Sequence, residues 1–243
     1  MIKKLILLIL GFFDFFYQRK IIKFLSKKNL IKINIFFDVG AHKGESINLF
    51  LKNMQINKII SFEASPVNFK FLEKNRDYYL KKFPNTKILI ENIALGSENK
   101  EVIFKQFDES SSSTLKDINE ESSYYKRKFN LLNFFDKKKI YETFRINIKK
   151  LKNYVEINNI DKIDFLKIDT EGYEYEILKG LEKKIEIVDI IMFEHHYDNM
   201  IKKNYTFKEI NNLLKMNNFN QIYKSKMPFR KTFEYIYQKK REL

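Results

Sequence analysis

The chain has 243 residues and carries 46 Lys+Arg against 31 Asp+Glu, a formal net charge of +15. It holds no Cys, which excludes disulfide frameworks, Cys-ligated zinc, iron–sulfur clusters and thiol catalysis, while 44% hydrophobic and 16% aromatic residues exclude wholesale disorder. Only six of the 46 basic residues are Arg, so the charge offers few of the guanidinium forks that read bases, and nucleic acid is not an expected partner.

Residues Met1 to Phe16 are apolar apart from Lys3, Lys4, Gly11 and Asp14, and Arg19, Lys20, Lys23, Lys27 and Lys28 follow. The run Leu5–Phe13 is shorter than the roughly 20 residues that span a bilayer, and no small-residue cleavage site follows it. Two readings stand for residues 1–32: an interfacial helix making peripheral membrane contact through residues 1–28, or a helix packed on the domain behind it. The expected setting is cytoplasmic, with the first reading placing the chain at the inner face of a membrane.

From Ile33 to residue 243 the pattern is that of one domain. Ile33–Val39 reads as a strand buried on both faces, Gly40–Gly44 as a turn and Glu45–Met54 as a helix. Lys58–Phe62 is a second strand, and Ser65-Pro66 supplies an N-cap and a first-turn proline for a helix reaching Lys82. Lys87–Ile93 is a third strand and Val102–Phe107 a fourth near an edge. An insertion over 108–144, with Ser110–Ser113, a Tyr/Lys/Arg cluster at Tyr124–Lys128 and the Lys137–Lys139 run, breaks the alternation and reads as a cover for a binding site. Then come a helix over Leu151–Asn158, strand Ile163–Ile168, helix Tyr173–Lys184 and strand Val188–Phe193. Thr206-x-x-Glu209 is a capping box opening a helix to Met216, and Gln221–Lys224 and Thr232–Gln238 close the sheet, the latter as an edge strand. Strands alternating with helices imply an α/β fold, a doubly wound, mostly parallel sheet.

In such a sheet ligands bind beyond the carboxyl ends of the strands. Ala occurs three times and Gly six times in the whole chain, and all but Gly11 lie at four such turns. The first is Asp38-Val-Gly40-Ala41-His-Lys-Gly44, where glycine allows close backbone approach and the following helix offers free N–H groups; the G-x-G-x-x-G spacing is absent. Glu63 ends the second strand, where an acid can accept both hydroxyls of a ribose, and Asn92 with Ala94 ends the third, leaving room for a flat base. Together they imply a nucleoside-containing cofactor. Asp169 and Glu171 end a later strand, able to hold a hydroxyl, act as base or bind a divalent metal, with a helix-capping Glu171 as the structural alternative. Glu194-His195-His196 ends the next, bringing imidazoles suited to proton transfer near neutral pH.

In this order, Asp38-Val-Gly-Ala-His-Lys-Gly-Glu45, Phe62-Glu63-Ala-Ser-Pro66, Asn92-Ile-Ala-Leu-Gly96 and Lys167-Ile-Asp-Thr-Glu-Gly-Tyr-Glu174 with Leu178-Lys-Gly180 resemble the motifs of the FkbM family of S-adenosylmethionine-dependent methyltransferases. The chain departs from that pattern at His42, where the family often has Asn, and at Ala64, where it commonly has Pro. The resemblance implies a class I methyltransferase fold, a Rossmann-like seven-stranded sheet with helices on both faces. It implies O-methylation of a sugar, glycan or related hydroxyl-bearing metabolite, with S-adenosyl-L-methionine as cofactor. By position, Asp38, Gly40, Ala41 and Gly44 would surround the methionine part, Glu63 the ribose, and Asn92 with Ala94 the adenine. Asp169 and Glu171 would face the acceptor, with Asp169 the first choice for base and His195 or His196 the competitor. A metal held by Asp169, Glu171 and Glu194 is a third, less favoured arrangement, and no metal ligand is assigned. The alternative from another class is a membrane-peripheral binding protein that keeps the cofactor fold without catalysis.

Overall fold

The computed structural model describes residues 16–107, 113–123, 125–126, 141–228 and 230–240. Leu5–Phe13, Ser110–Ser112, Tyr124, Arg127, Lys128 and Lys137–Lys139 lie outside the described residues.

Helix α1 covers residues 16–27. It turns Tyr17, Ile21 and Leu25, spaced at four, onto the domain, where they join a core cluster with Phe36, Phe50 and Phe165. Residues 16–27 therefore pack on the domain through these three side chains. No described helix is long and apolar enough to cross a membrane.

The first half of the domain alternates as expected. Strand β1 (Lys32–Val39) leads through the Gly40–Gly44 turn into helix α2 (Glu45–Asn53), and β2 (Gln55–Phe62) into helix α3 (Pro66–Lys82). Ser65 caps α3, its side chain accepting from the Asn68 N–H at 3.0 Å. Strand β3 (Lys87–Glu91) completes this half.

Strands β4 (Ala94–Gly96), β5 (Lys100–Phe107) and β7 (Tyr141–Lys150) form a separate three-stranded sheet in the order β4-β7-β5. Val102–Phe107 is thus a strand but not an edge of the main sheet: it pairs antiparallel with β7. The insertion closes at Tyr141, and its described part contributes β6 (Asp117–Ile118), which pairs with β10 (Ile201–Lys202).

The second half contains α4 (Leu151–Ile157), β8 (Ile163–Ile168), α5 (Glu174–Leu181), a 3-10 turn over Glu182–Ile187, β9 (Val188–His196), α6 (Phe207–Met216), β11 (Phe219–Lys226) and β12 (Thr232–Lys239). Helix α6 carries the full capping box: Thr206 accepts from the Glu209 N–H and Glu209 accepts from the Thr206 N–H. The main sheet runs β11-β12-β9-β8-β1-β2-β3 with seven strands, all parallel except β12. Strand β12 is therefore not the edge: it lies between β9 and β11, and Tyr235, Ile236 and Tyr237 are fully buried. Its polar letters mislead because the hydroxyls find partners at the rim of the core, Tyr235 OH pairing with Tyr197 OH at 2.7 Å and Tyr237 OH donating to Asn211 at 2.9 Å.

The strand order reverses between β1 and β8, and the turns after β1, β2, β8 and β9 open at the same end of the sheet. That end is where the sequence motifs converge.

Candidate active site

The turn after β1 is built by contact with the turn after β8. Gly40 has φ +83, and a Cβ there would stand 1.9 Å from the Asp169 carbonyl oxygen, so only glycine lets the two turns touch. The N–H groups of Gly40 and Ala41 both reach the Phe62 carbonyl, at 2.9 and 3.0 Å, which ties the same turn to β2. Gly44, also left-handed, is the N-cap of α2.

Glu63 is not a solvated helix cap. It is buried, and its two oxygens accept the N–H groups of His42 (2.7 Å) and Ser65 (2.8 Å), leaving further lone pairs on the carboxylate. Burial pushes its carboxyl up to about 7, although those two N–H bonds pull the other way. Asn92, exposed, donates to the Glu63 carbonyl at 2.8 Å, while Ala94 is buried in β4 within the core. His42 sits at φ +52, and its Nδ1 lies 2.9 Å from Glu45 Oε1.

Asp38 and Lys167 are cross-strand partners in the β1–β8 ladder. Lys167 Nζ, buried, stands 3.5 Å from Asp38 Oδ1 and 3.1 Å from Asp169 Oδ2. Asp38 is 0% exposed, whereas the Asp169 side chain is 37% exposed and opens toward the crevice. Burial raises both carboxyls, but at Asp169 the Lys167 ammonium outweighs it and holds the group below its ordinary value. At Asp38 burial wins, and its carboxyl stays above the usual range.

Glu171 does not cap its helix. No side chain caps α5; fully buried Glu174, its first residue, instead ties down the preceding turn, accepting from the N–H groups of Thr170 (3.2 Å) and Gly172 (3.0 Å) and from the Tyr205 hydroxyl. Glu171 itself takes φ +51 and swings its carboxylate toward β9, while Thr114 of the insertion donates to its carbonyl at 2.7 Å. There it meets His196 and Glu194: His196 Nε2 lies 3.1 Å from Glu171 Oε2 and 3.1 Å from Glu194 Oε1. Burial lowers the His196 imidazole, but the two carboxylates outweigh it and hold it well above its ordinary value. Burial, then the Asp169 charge, pushes Glu194 up to about 7. Glu234, directly across the ladder from Glu194, is pushed up to about 8, mainly by burial and then by Glu194.

Alternation along β9 separates the two histidines. His195 packs among Tyr197, Tyr205 and Phe207, at ring distances of 4.8, 5.8 and 5.7 Å, and burial holds its imidazole down to about 3. The structure thus gathers Asp38, Asp169, Glu171 and His196 at one mouth and sends His195 elsewhere. Lys167, Glu174, Asp198 and Glu234 were not singled out from sequence. Lys167 lies inside a quoted motif, but its partner Asp38 is visible only once the β1–β8 register is known.

A seven-stranded sheet of this order, with acids at the ends of β1, β2 and β8, defines a class I methyltransferase-like α/β protein. The sequence pattern of the methyltransferase FkbM domain matches residues 38–221, and the chain belongs to that family, whose methyl donor is S-adenosylmethionine. Among solved structures it is similar to the methyltransferase FkbM of Methylobacillus flagellatus, at 14% identity and TM-score 0.54, over 85% of this chain. The chain spans only 44% of that protein's length. It is also similar to the magnesium protoporphyrin IX methyltransferase of Synechocystis, solved with bound S-adenosylmethionine, at 8% identity and TM-score 0.50, over 92% of this chain and 78% of that one. At these identities the likeness is one of fold. No protein of curated function matches the chain.

Proposed function

We propose that the protein is an O-methyltransferase acting on a hydroxyl of a sugar, glycan or related metabolite. The observation that carries this reading is Asp169: a carboxylate kept ionised by Lys167, partly open to the crevice, and in backbone contact with the glycine turn after β1. S-adenosylmethionine supplies an activated sulfonium methyl group. Glu63 holds the ribose through the lone pairs its backbone bonds leave over, the Gly40–Gly44 turn receives the methionine part, and Asn92 borders the adenine. Asp169 accepts the hydroxyl proton as the acceptor oxygen forms its bond to the methyl carbon; the methyl–sulfur bond breaks with its electron pair staying on sulfur. The described part of the insertion stands over this mouth, with Thr114 bonded to the Glu171 carbonyl and β6 paired to β10.

The test is methyl transfer from labelled S-adenosylmethionine into separated glycan, lipid and small-metabolite fractions, with cofactor binding followed by calorimetry. Asp169→Asn should leave binding within about twofold and lower transfer by roughly 10²–10⁴, the usual contribution of a positioned base. Equal loss of binding and transfer would show that Asp169 serves the cofactor, and label confined to nitrogen or carbon acceptors would overturn the O-methyl assignment.

A further inference from the structure

The groups at the ends of β8 and β9 have a geometry that proton transfer alone does not explain. Three ligand-type atoms, Glu171 Oε2, Glu194 Oε1 and His196 Nε2, lie within 4.8 Å of one another. The imidazole nitrogen stands 3.1 Å from each oxygen, and Nε2 and Glu171 Oε2 are both buried without a hydrogen-bond partner. A buried imidazole aimed between two carboxylates and aligned with neither is incomplete as a hydrogen-bonded group. The two nitrogen–oxygen separations are those expected of ligands of one ion: two donors about 2.1 Å from a metal and at right angles are roughly 3.0 Å apart.

The far side of the ring supports the same conclusion. His196 Nδ1 lies 3.1 Å from Thr232 Oγ1 and 3.7 Å from Asp198 Oδ2, and the Met200 N–H holds Asp198 at 3.0 Å. With a proton kept on Nδ1, toward Thr232 and Asp198, an ion at Nε2 would replace the proton that the two carboxylates otherwise hold on the imidazole, the outer-shell arrangement of metal-bound histidines. The surroundings are short of positive charge as well. Glu194 and Glu234 face each other across the β9–β12 ladder, both buried, and the cation that acts on Glu234, Lys167, is already shared with Asp38 and Asp169.

We propose that Glu171, Glu194 and His196 form a binding site for one divalent transition-metal ion, with Asp198 and Thr232 orienting the histidine. Two carboxylates and one imidazole favour a first-row ion such as Mn²⁺ over Mg²⁺, which prefers oxygen alone. Three protein ligands leave coordination positions free, and the site adjoins Asp169. Resting on the O-methyl reading, the ion would hold the acceptor hydroxyl as a Lewis acid and lower its pKa, so that Asp169 removes the proton more easily.

The test needs no acceptor. Full-length protein stripped with chelator is titrated with MnCl₂, followed by calorimetry and by loss of the free-Mn²⁺ paramagnetic resonance signal. Wild type should bind a single Mn²⁺, equimolar Mg²⁺ should not displace it, and Glu171→Gln and Glu194→Gln should each weaken binding by at least ~10-fold. Circular dichroism and S-adenosylmethionine binding report whether each variant is folded, and the partly exposed Glu171 keeps the test available should Glu194→Gln misfold. Absence of Mn²⁺ binding by protein that still binds S-adenosylmethionine would overturn the metal site while leaving the methyltransferase reading intact. Unchanged affinity in Glu171→Gln, or equal competition by Mg²⁺, would overturn the proposed ligand set. Mn²⁺ binding with methyl transfer only to nitrogen or carbon would retain the site and remove its proposed role.

Discussion

Replacing Lys167 by Met tests the buried charge arrangement beneath the crevice. The variant keeps the length and apolar stem of the side chain and removes only the ammonium. Two carboxylates lose a partner, but not equally. Asp169 is 37% exposed, so solvent screens what it loses, on the order of 0–1 kcal/mol. Asp38 is fully buried, and its Coulomb attraction to Lys167 at 3.5 Å amounts to about 4.7 kcal/mol at an effective dielectric of 20. The loss cannot exceed what protonating Asp38 costs instead, and because burial already raises this carboxyl that cost is below the roughly 4 kcal/mol at pH 7 of a carboxyl of ordinary pKa. Lys167→Met should therefore destabilise by roughly 1–4 kcal/mol. For a domain of this size that is a melting-point drop of roughly 2–16 °C.

The pH dependence gives the sign. Burial already raises the folded Asp38 carboxyl, and removing Lys167 takes away the largest opposing influence, so it rises further. The folded variant then binds a proton that the unfolded chain has released, and its stability falls as pH rises above the unfolded value near 4. The deficit against wild type should shrink by up to ~1.4 kcal/mol for each unit from pH 7 down to pH 5. Adding Asp38→Asn to Lys167→Met should restore most of the loss, because the uncompensated charge is gone. Calorimetric melts of wild type, Lys167→Met and the double variant at pH 5, 6 and 7 measure all of this. A deficit below about 1 kcal/mol, or a double variant no more stable than Lys167→Met, would refute the assignment of the cost to Asp38.

Because Glu63 is pushed up to about 7, S-adenosylmethionine affinity should weaken as pH falls below 7, by at most tenfold per unit, and Glu63→Gln should lose roughly 10–100-fold at pH 8 and show a flat profile by calorimetry. Gly40→Ala should destabilise well beyond the 1–2 kcal/mol of a left-handed alanine, since its Cβ meets a backbone oxygen at 1.9 Å. Gly44→Ala, whose Cβ would meet side-chain atoms of Leu72, Tyr79 and Ile47 at 3.1, 3.2 and 3.6 Å rather than backbone, should stay near that figure; equal denaturant midpoints would refute the distinction. His195→Phe keeps the aromatic packing of a ring held neutral above pH 4, and should retain methyl transfer within about threefold in the labelled-cofactor assay.

The difference between what sequence and structure reveal follows from where the determining contacts lie. Turn motifs were legible because each is local: a glycine, a cap or an acid within a few residues of a strand end, in a chain with almost no other small residues. Helix α3 and strand β8 have the boundaries their local patterns imply, Pro66–Lys82 and Ile163–Ile168. Lateral relations were not legible. Strand β7, with the polar sequence YETFRINIKK and mostly outward-facing residues, is recognisable only by its pairing with β5, so its first residues read as insertion. Glu171 and Glu174 are both acids near the start of one helix, and Glu171 reads from sequence as either a site acid or a helix cap. The left-handed backbone at Glu171 turns its carboxylate toward β9, while Glu174 satisfies the N–H groups of the turn. The same geometry chooses between adjacent histidines: only His196 shares a strand face with Glu194, and only that face meets Glu171.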